Sequence, residues 1–350
     1  MRDEPLVTLP PALLVHGAGG DGRWVMGVDG GATKTLAAVL DLQERSLHLG
    51  HGASSNADAV GARAATESLL RATDEALDRA GIGPERLDGA VLAVAGTDTE
   101  AIAAHVRAVR PGGWVVVNDV VGAWAVATGA RPGVGAISGT GSNVFGVGRV
   151  GAETRSWRAG GWGHILGDQG SGYWLATRSL RAALADRDRS GPRTALSEAA
   201  VEFFGARSIE ALATLVYAKP LSKGEIAAFA IETARVAHGG DEVACALYER
   251  AARELGAQIR AVIEQTGLVG KFPVGLIGSA FKAGAVFVAP LAAQIEQAAP
   301  QASVSVVQTA PVGGCLLLAA RLAGRDGELG GEQLRRLLDD LLAREGAFRE

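Results

Sequence analysis

Apolar positions along the chain alternate between short runs that predict strands and longer stretches with helical spacing, an order typical of α/β proteins. In the first half, strands are predicted at 24–29, 35–42, 46–52, 87–96 and 114–119, and helices at 61–80 and 98–110. The first three strands are separated only by turn residues. The order therefore predicts a meander followed by alternating helices and strands.

The second half repeats this order around a long helical stretch. Strands are predicted at 134–143, 144–149, 272–279 and 303–308, a Gly/Trp-rich segment at 159–174, and helices within 174–267 and at 284–298, 312–323 and 331–346. At roughly 150 residues per domain, 350 residues indicate about two domains. We expect a loose N-terminal extension (1–23), an N-terminal α/β domain (24–134) joined by the C-terminal helix (331–350), and a C-terminal α/β domain with a helical insertion (135–330).

Composition narrows the class of protein. Hydrophobic residues make up 48% and charged residues 21%, which is globular composition, and the net charge of −4 argues against nucleic acid or an anionic membrane as the partner. No run of ~20 apolar residues occurs, and acidic residues stand where a signal peptide has positive charge, so we expect a cytoplasmic protein. The two cysteines, Cys245 and Cys315, cannot form a disulfide framework or a sulfur-bound metal cluster by themselves.

Glycine is enriched, with 49 residues, and two glycine-rich turns follow apolar strands: VDGGATKT at 28–35 and ISGTGSN at 137–143. Each leads into another strand, whereas a phosphate-binding P-loop opens a helix and needs a Gly before its Lys. The formal G-x-G-x-x-G match at Gly17, Gly19 and Gly22 also precedes a strand, so we interpret it as a chance match. The pattern predicts two strand–turn–strand units whose backbone can approach a ligand closely.

Five motifs occur in a characteristic order: DGGATKT, NDV, SGTGSN, GGWGHILGDQGSGYW and GLIGSAFKAG. Together they resemble the acetate-kinase/sugar-kinase/Hsp70/actin superfamily, and within it the BadF/BcrA-type branch, which includes N-acetylglucosamine and glucosamine kinases. The resemblance covers about residues 24 to 325. It implies an α/β, two-domain actin-like/ribonuclease H-like ATPase fold with the active site in the interdomain cleft, and it implies ATP and Mg²⁺ as cofactors.

The resemblance also implies which residues hold the nucleotide. The backbone N–H groups of both turns would hold phosphates, and Asp29 would hold Mg²⁺, through water. The implied nucleotide-binding residues are Gly30, Gly31, Thr33, Lys34, Gly139, Thr140 and Gly141, with Gly278, Ser279 and Lys282 on the adenosine side. For Lys282 an ordinary solvated surface charge is the alternative interpretation.

Asp119 is the candidate catalytic residue, because it follows a buried strand and matches the family's proton-accepting Asp. Its alternative is the N-cap of a helix that starts at Val120. The implied sugar-binding residues are Asn56, Asp58, Asn118, Asp119, Thr140, Asn143, Gly161 and Asp168. Within the fourth motif, we interpret His164 as a structural histidine and Trp162 and Trp174 as core residues.

The residues that follow Asn56 in the sequence favour one amino sugar over another. Animal-type N-acetylglucosamine kinases resemble S-T-N followed by bulky aromatic residues, whereas Ala57 and Asp58 follow Asn56 here. A small residue and an acid suit a free, positively charged amine. We therefore expect a glucosamine kinase that transfers the γ-phosphoryl group of ATP to the sugar 6-hydroxyl, with N-acetylglucosamine as the alternative substrate.

Two other functions compete with a kinase. ATPase activators of radical dehydratases and reductases share the ATP motifs, but they carry cysteines for an intersubunit iron–sulfur cluster, and neither Cys245 nor Cys315 lies in a cluster-like loop. Sugar-sensing regulators carry a DNA-binding helix-turn-helix, for which the 23 residues before the first motif are too few. The resemblance suggests a homodimer without nucleic acid or membrane partners.

Overall fold

The computed structural model describes residues 9–10, 13, 22–96, 99–110, 113–218, 221–325, 327 and 330–345. Contacts divide the chain into two units. Unit 1 comprises Met1–Gly135, Phe145–Trp157 and Val307–Glu350, and unit 2 comprises Ala136–Val144 and Arg158–Val306.

The first sheet contains β1 (Trp24–Gly30), β2 (Thr35–Asp41), β3 (Ser46–Gly52), β4 (Gly89–Val94) and β5 (Trp114–Asn118), in the order β3-β2-β1-β4-β5. Strands β1 to β3 form the predicted antiparallel meander, and β1, β4 and β5 pair in parallel. Both β2 and β4 are buried along their whole length, which explains their continuous apolar runs. The carboxyl ends of the parallel strands thus lie at one edge of the sheet.

The described helices that alternate with these strands along the chain are α1 (Ala57–Val60), α2 (Ala62–Ala80), α3 (Thr99–Val109) and α4 (Asp119–Thr128), with a 3₁₀ turn at Pro84–Arg86. Helix α2 buries residues at helical spacing, Ala65, Leu69, Ala72 and Ala76, in the core with β1 and β2. It ends at Gly81, a left-handed C-cap.

The second sheet contains β6 (Gly133–Ser138), β7 (Ser142–Val150), β8 (Glu153–Gly160), β9 (Pro273–Ile277) and β10 (Ser303–Val306), in the order β10-β9-β6-β7-β8. Strand β8 was not predicted, because its sequence ETRSWRAG is rich in polar and charged residues. It occupies the edge of the sheet, where polar strands are tolerated.

The predicted helical stretch 174–267 is confirmed, and it divides into several helices. These are α6 (Gly172–Asp188), α7 (Leu196–Phe203), α8 (Ile209–Ala218), α9 (Lys223–Ala228), α10 (Ala230–His238) and α11 (Glu242–Thr266), preceded by α5 (Gly163–Leu166). A 3₁₀ helix (Ser279–Ala283) and α12 (Ala285–Ala298) follow β9. Caps set the limits of α11: Asp241 accepts a hydrogen bond from the Ala244 N–H, and Gly267 is left-handed.

The chain returns to unit 1 with α13 (Val312–Leu322) and α14 (Gly331–Glu345). Helix α13 is buried on all sides. Its backbone approaches β1 so closely that a Cβ on Gly27 would lie 2.7 Å from the Leu316 nitrogen. Gly27 therefore permits the contact between helix and strand.

The predicted extension 1–23 falls largely outside the described residues. Within this extension, Leu9 and Leu13 are buried. The Arg321 side chain donates hydrogen bonds to the carbonyls of Leu13 and Ala130. In the described part of the chain, no helix combines the length and the apolar character needed to span a bilayer.

Candidate active site

The first glycine turn joins β1 to β2 and is closed by a hydrogen bond from the Gly31 N–H to the Lys34 carbonyl, 2.9 Å. Behind it, a Cβ on Gly30 would lie 2.3 Å from the Ser55 hydroxyl oxygen, so any larger residue at this position would force Ser55 to move. Thr33 and Lys34 are exposed. In this turn, Gly31 and the side chains after it are the part open to a ligand.

Asp29 precedes this turn near the end of β1 and is half-buried. Burial raises the pKa of the Asp29 carboxyl to about 6, and the nearby Lys34 charge lowers it by less. A cation bound at this carboxylate would favour the ionised form. Asp29 thus has the chemistry of a residue that accepts a metal ion or its water shell.

Three predicted sugar-binding residues converge on Gly96, just beyond the end of β4. A Cβ built on Gly96 would lie 3.3 Å from the Asn56 amide oxygen and 3.5 Å from a carboxylate oxygen of Asp58. From β5, the Asn118 amide donates to the Gly96 carbonyl, 3.0 Å. Three side chains from two separate segments, 56–58 and the end of β5, therefore surround one glycine.

The helix N-cap considered for Asp119 belongs instead to Asn118. The Asn118 side chain accepts a hydrogen bond from the Val120 N–H at 3.4 Å, and α4 begins with Asp119 as its first residue. Both ends of the buried Asn118 amide are thus bonded to backbone, which ties the end of β4 to the end of β5. Asp119 is half-buried directly after this fixed residue, so its position is well defined.

The second glycine turn joins β6 to β7 and is closed by a hydrogen bond from the Gly139 N–H to the Gly141 carbonyl, 2.9 Å. The first N–H groups of α6 donate to this turn: Gly172 to Gly139 at 2.7 Å and Tyr173 to Thr140 at 3.4 Å. The N-terminus of α6 therefore supports the turn from behind.

The predicted adenosine-side loop lies against this turn. Gly278 has φ +119°, and a Cβ on it would lie 2.3 Å from the Ser138 carbonyl oxygen, so only glycine fits. Ser279 is the nearest neighbour of a Cβ on Gly139, at 3.8 Å, which leaves open space at that glycine. Lys282 is exposed.

Asp168 lies on the other side of the second turn and is only 4% exposed. One carboxylate oxygen accepts the Ser142 N–H at 3.2 Å, and the other accepts the Lys223 ammonium at 2.7 Å. Sequence reasoning missed Lys223, because nothing in the sequence connects two residues 55 positions apart. The Ser-x-x-Glu capping box at Ser222 and Glu225 predicts the helix start, but not the ion pair.

Asn143 and Gly161, also predicted to contact sugar, lie together: a Cβ on Gly161 would be 2.8 Å from the Asn143 amide. In the same segment the exposed His164 packs edge-on against Tyr173, with ring centroids 5.0 Å apart. Trp174 is buried as predicted, but core packing was wrong for Trp162, which is 52% exposed beside Arg158.

The predicted site residues divide between the two units. Unit 1 holds the first turn, the Gly96 group and Asp119, and unit 2 holds the second turn, Asp168, the Asn143–Gly161 pair and the loop at Gly278. No group of three or more His, Cys, Asp or Glu side chains suited to a metal exists among the described residues. A single carboxylate such as Asp29 suits Mg²⁺, because this ion keeps most of its water, binds phosphate oxygens and does not need a cage of protein ligands.

The two five-stranded sheets, each with a glycine turn between neighbouring strands, match the two-domain α/β fold of actin-like ATPases that the motif resemblance implied. A family model described as the BadF/BadG/BcrA/BcrD ATPase family matches residues 26–319. The chain belongs to this family. The resemblance found in the motifs is thereby confirmed.

Two curated relatives are similar over most of their length. The chain is 32% identical to the N-acetylmuramic acid/N-acetylglucosamine kinase of Clostridium acetobutylicum over 254 residues, 71% of this chain and 82% of the relative. It is 28% identical to the N-acetyl-D-glucosamine kinase of Dictyostelium discoideum over 319 residues, 84% of this chain and 97% of the relative.

Among solved structures, a candidate N-acetylglucosamine kinase from Chromobacterium violaceum matches with a TM-score of 0.65 at 24% identity, covering 85% of this chain and 99% of that chain. This likeness concerns the fold. The prediction of an α/β, two-domain actin-like fold is confirmed.

Proposed function

We propose that this protein is an ATP-dependent kinase that phosphorylates the 6-hydroxyl of N-acetylglucosamine. The names of both relatives include this sugar, which supports the acetylated substrate over the free amine favoured by the sequence. The membership in an ATPase family supports ATP as the phosphoryl donor.

The observation that carries the proposal is the group around Gly96. Asn56, Asp58 and Asn118 surround this glycine, and Asp119 follows Asn118. Amide and carboxylate groups fixed by backbone bonds can orient sugar hydroxyls, while the adjacent carboxylate receives a proton.

In the proposed reaction, a carboxylate oxygen of Asp119 accepts the proton of the 6-hydroxyl. The hydroxyl oxygen forms a bond to the γ-phosphorus of ATP as the bond from that phosphorus to the bridging oxygen breaks, and ADP leaves. The glycine turns at Gly31 and Gly139 would offer backbone N–H groups to the phosphates. Asp29 would hold Mg²⁺ through water, and the ion would neutralise charge on the phosphates.

The ion pair of Asp168 bears on the choice of sugar. This carboxylate already accepts the Lys223 ammonium at 2.7 Å. A protonated sugar amine at the same carboxylate would bring a second cation next to the first, and like charges disfavour each other. An acetylated amine is neutral and avoids this repulsion.

Glucosamine remains the second candidate, because the exposed Asp58 carboxylate lies beside Asn56 and could pair with an ammonium. The ATPase-activator alternative gains no support from the cysteines. Cys315 is fully buried and donates to the Val28 carbonyl, and burial raises the pKa of its thiol. The Cys245 thiol, on α11, donates to the Ala237 carbonyl of α10.

A coupled ADP-release assay tests the proposal. We would compare N-acetylglucosamine, glucosamine, N-acetylmuramic acid, N-acetylmannosamine and glucose, with Asp119→Asn as the matched control of nearly equal shape. The expected result is the highest kcat/KM for N-acetylglucosamine and sugar-dependent ADP release. A higher kcat/KM for glucosamine would restore the expectation from the sequence, and ADP release independent of any sugar would favour the activator.

A further inference from the structure

The Asp168 carboxylate is built against the backbone of the second glycine turn. A Cβ on Gly141 would lie 3.0 Å from both carboxylate oxygens, and the Ser142 N–H at the end of the turn donates to one of them. Asp168 itself has φ +58°, a left-handed conformation that Asp and Asn tolerate better than most residues. The side chain is therefore held in place by the turn.

This position creates an electrostatic conflict. The proposed function requires the same turn to hold phosphate groups, and an ionised carboxylate at the turn repels a polyphosphate. The repulsion is substantial because Asp168 is nearly buried, where charges are poorly screened by solvent. An effective phosphate site therefore needs this carboxylate to be neutralised.

Lys223 supplies the opposite charge from a rigid support. It is the first residue of α9, whose start is fixed by a capping box: the Glu225 N–H donates to the Ser222 hydroxyl at 3.2 Å, and the Ser222 N–H donates to the Glu225 carboxylate at 2.7 Å. The backbone bonds that place Lys223 do not depend on its own side chain. The side chain can therefore be changed without removing the helix start.

We propose that Lys223 is a positioning residue for nucleotide binding, which cancels the charge of Asp168 and so allows the turn 138–142 to hold the phosphates of ATP. This inference rests on the proposed kinase function and adds a residue outside the five sequence motifs. Lys223 acts on the phosphates through Asp168, as a fixed counter-charge.

The test measures nucleotide binding directly, in the absence of sugar. The dissociation constants of ADP and of a non-hydrolysable ATP analogue would be determined by calorimetry for wild type, Lys223→Gln, Lys223→Arg, Asp168→Asn and the double variant Asp168→Asn/Lys223→Gln. Lys271→Gln is the matched control, because it removes one exposed lysine charge from the same unit.

Lys223→Gln should weaken binding of the ATP analogue roughly 10- to 150-fold, the range of one charge-assisted interaction. The arginine variant should bind nearly as wild type. The double variant should recover most of the loss, because neither charge remains and the amide oxygen introduced by Asp168→Asn can still accept the Ser142 N–H. The loss should also shrink at high ionic strength.

Two results would overturn the inference while leaving the proposed kinase function intact. In the first, Lys223→Gln binds the ATP analogue as tightly as Lys271→Gln does. In the second, the double variant binds the analogue as weakly as Lys223→Gln does. The second result would show that Lys223 matters for packing and not for charge. If the wild-type protein binds no adenine nucleotide at all, the proposed function itself fails.

Discussion

Asp29 and Asp168 both lie beside a glycine turn, one in each unit, and they differ in the cation that each one faces. Asp168 has a lysine ammonium at 2.7 Å and a backbone N–H at 3.2 Å. At Asp29, burial is the dominant influence and raises the pKa to about 6, with only a weaker opposing effect of Lys34.

The difference indicates two ways to neutralise a carboxylate beside a glycine turn. A carboxylate near phosphates must be balanced, and the second turn carries a permanent counter-charge from α9. In the proposed kinase, the first turn would instead be balanced by an ion that arrives with the nucleotide, because burial raises the pKa of Asp29 and so leaves its ionised form poorly stabilised in the free protein. The two turns should therefore respond differently to the same substitution.

Asp119 is the third carboxylate of the predicted site, and its removal should have the largest effect. Asp119→Ala should lower kcat by about 10²- to 10⁴-fold, the usual worth of a positioned general base, with little change in ATP binding. Steady-state kinetics and calorimetry measure the two quantities separately. A variant that retains more than half of the wild-type kcat would show that Asp119 is not the proton acceptor.

The two turn carboxylates should give opposite stability changes when each is replaced by Asn. At pH 8 in metal-free buffer, Asp29→Asn should raise the free energy of unfolding by about 3 kcal/mol, because it removes a carboxylate that is costly to ionise in the folded state. Asp168→Asn should lower it by about 1–3 kcal/mol, because it breaks a hydrogen-bonded ion pair and leaves Lys223 without its partner. Urea unfolding of both variants measures the changes.

The pH dependence provides the control for Asp29. A folded-state pKa raised to about 6 from 3.8 means that the cost is absent below about pH 4 and complete above about pH 6. The advantage of Asp29→Asn should therefore disappear when unfolding is measured at pH 4. Equal stabilisation at both pH values would refute the assigned cause.

Asp58 should have the smallest effect, since its carboxylate is exposed and outside either turn. Asp58→Asn should lower kcat/KM for glucosamine about 3- to 10-fold, because an exposed ion pair is worth ~1 kcal/mol or little more. The value for N-acetylglucosamine should stay within about twofold. If both sugars lose equally, Asp58 shapes the segment and does not distinguish the amine.

The fold was predictable from the sequence where burial produces a continuous or periodic apolar pattern. Strands β1, β2 and β4 and helix α2 are of this kind. Strand β8 could not be recognised, because an edge strand with polar residues on both faces has neither pattern.

The candidate site was predictable as a set of motifs, but not as a set of contacts. The glycine turns and Asp119 follow strands that the sequence reveals. The helix cap lies on Asn118, one residue before Asp119, for which a cap was the alternative interpretation, since either side chain can cap a helix. The pairing of Lys223 with Asp168 depends on how α9 packs in unit 2, and this information is absent from local sequence.

Helix α13 covers the first sheet, but it is synthesised long after the strands of that sheet. Its backbone lies against β1 at Gly27, and against β4, where a Cβ on Gly89 would be 2.4 Å from the Ala319 carbonyl oxygen. The ribosome releases β1 and β4 long before residues 312–322 exist, so a nascent chain carries this apolar face of the sheet uncovered through most of translation. Chains that end at residue 306 should be protease-sensitive in unit 1 after release from the ribosome, whereas the full chain should resist, as pulse proteolysis of the two purified proteins can measure.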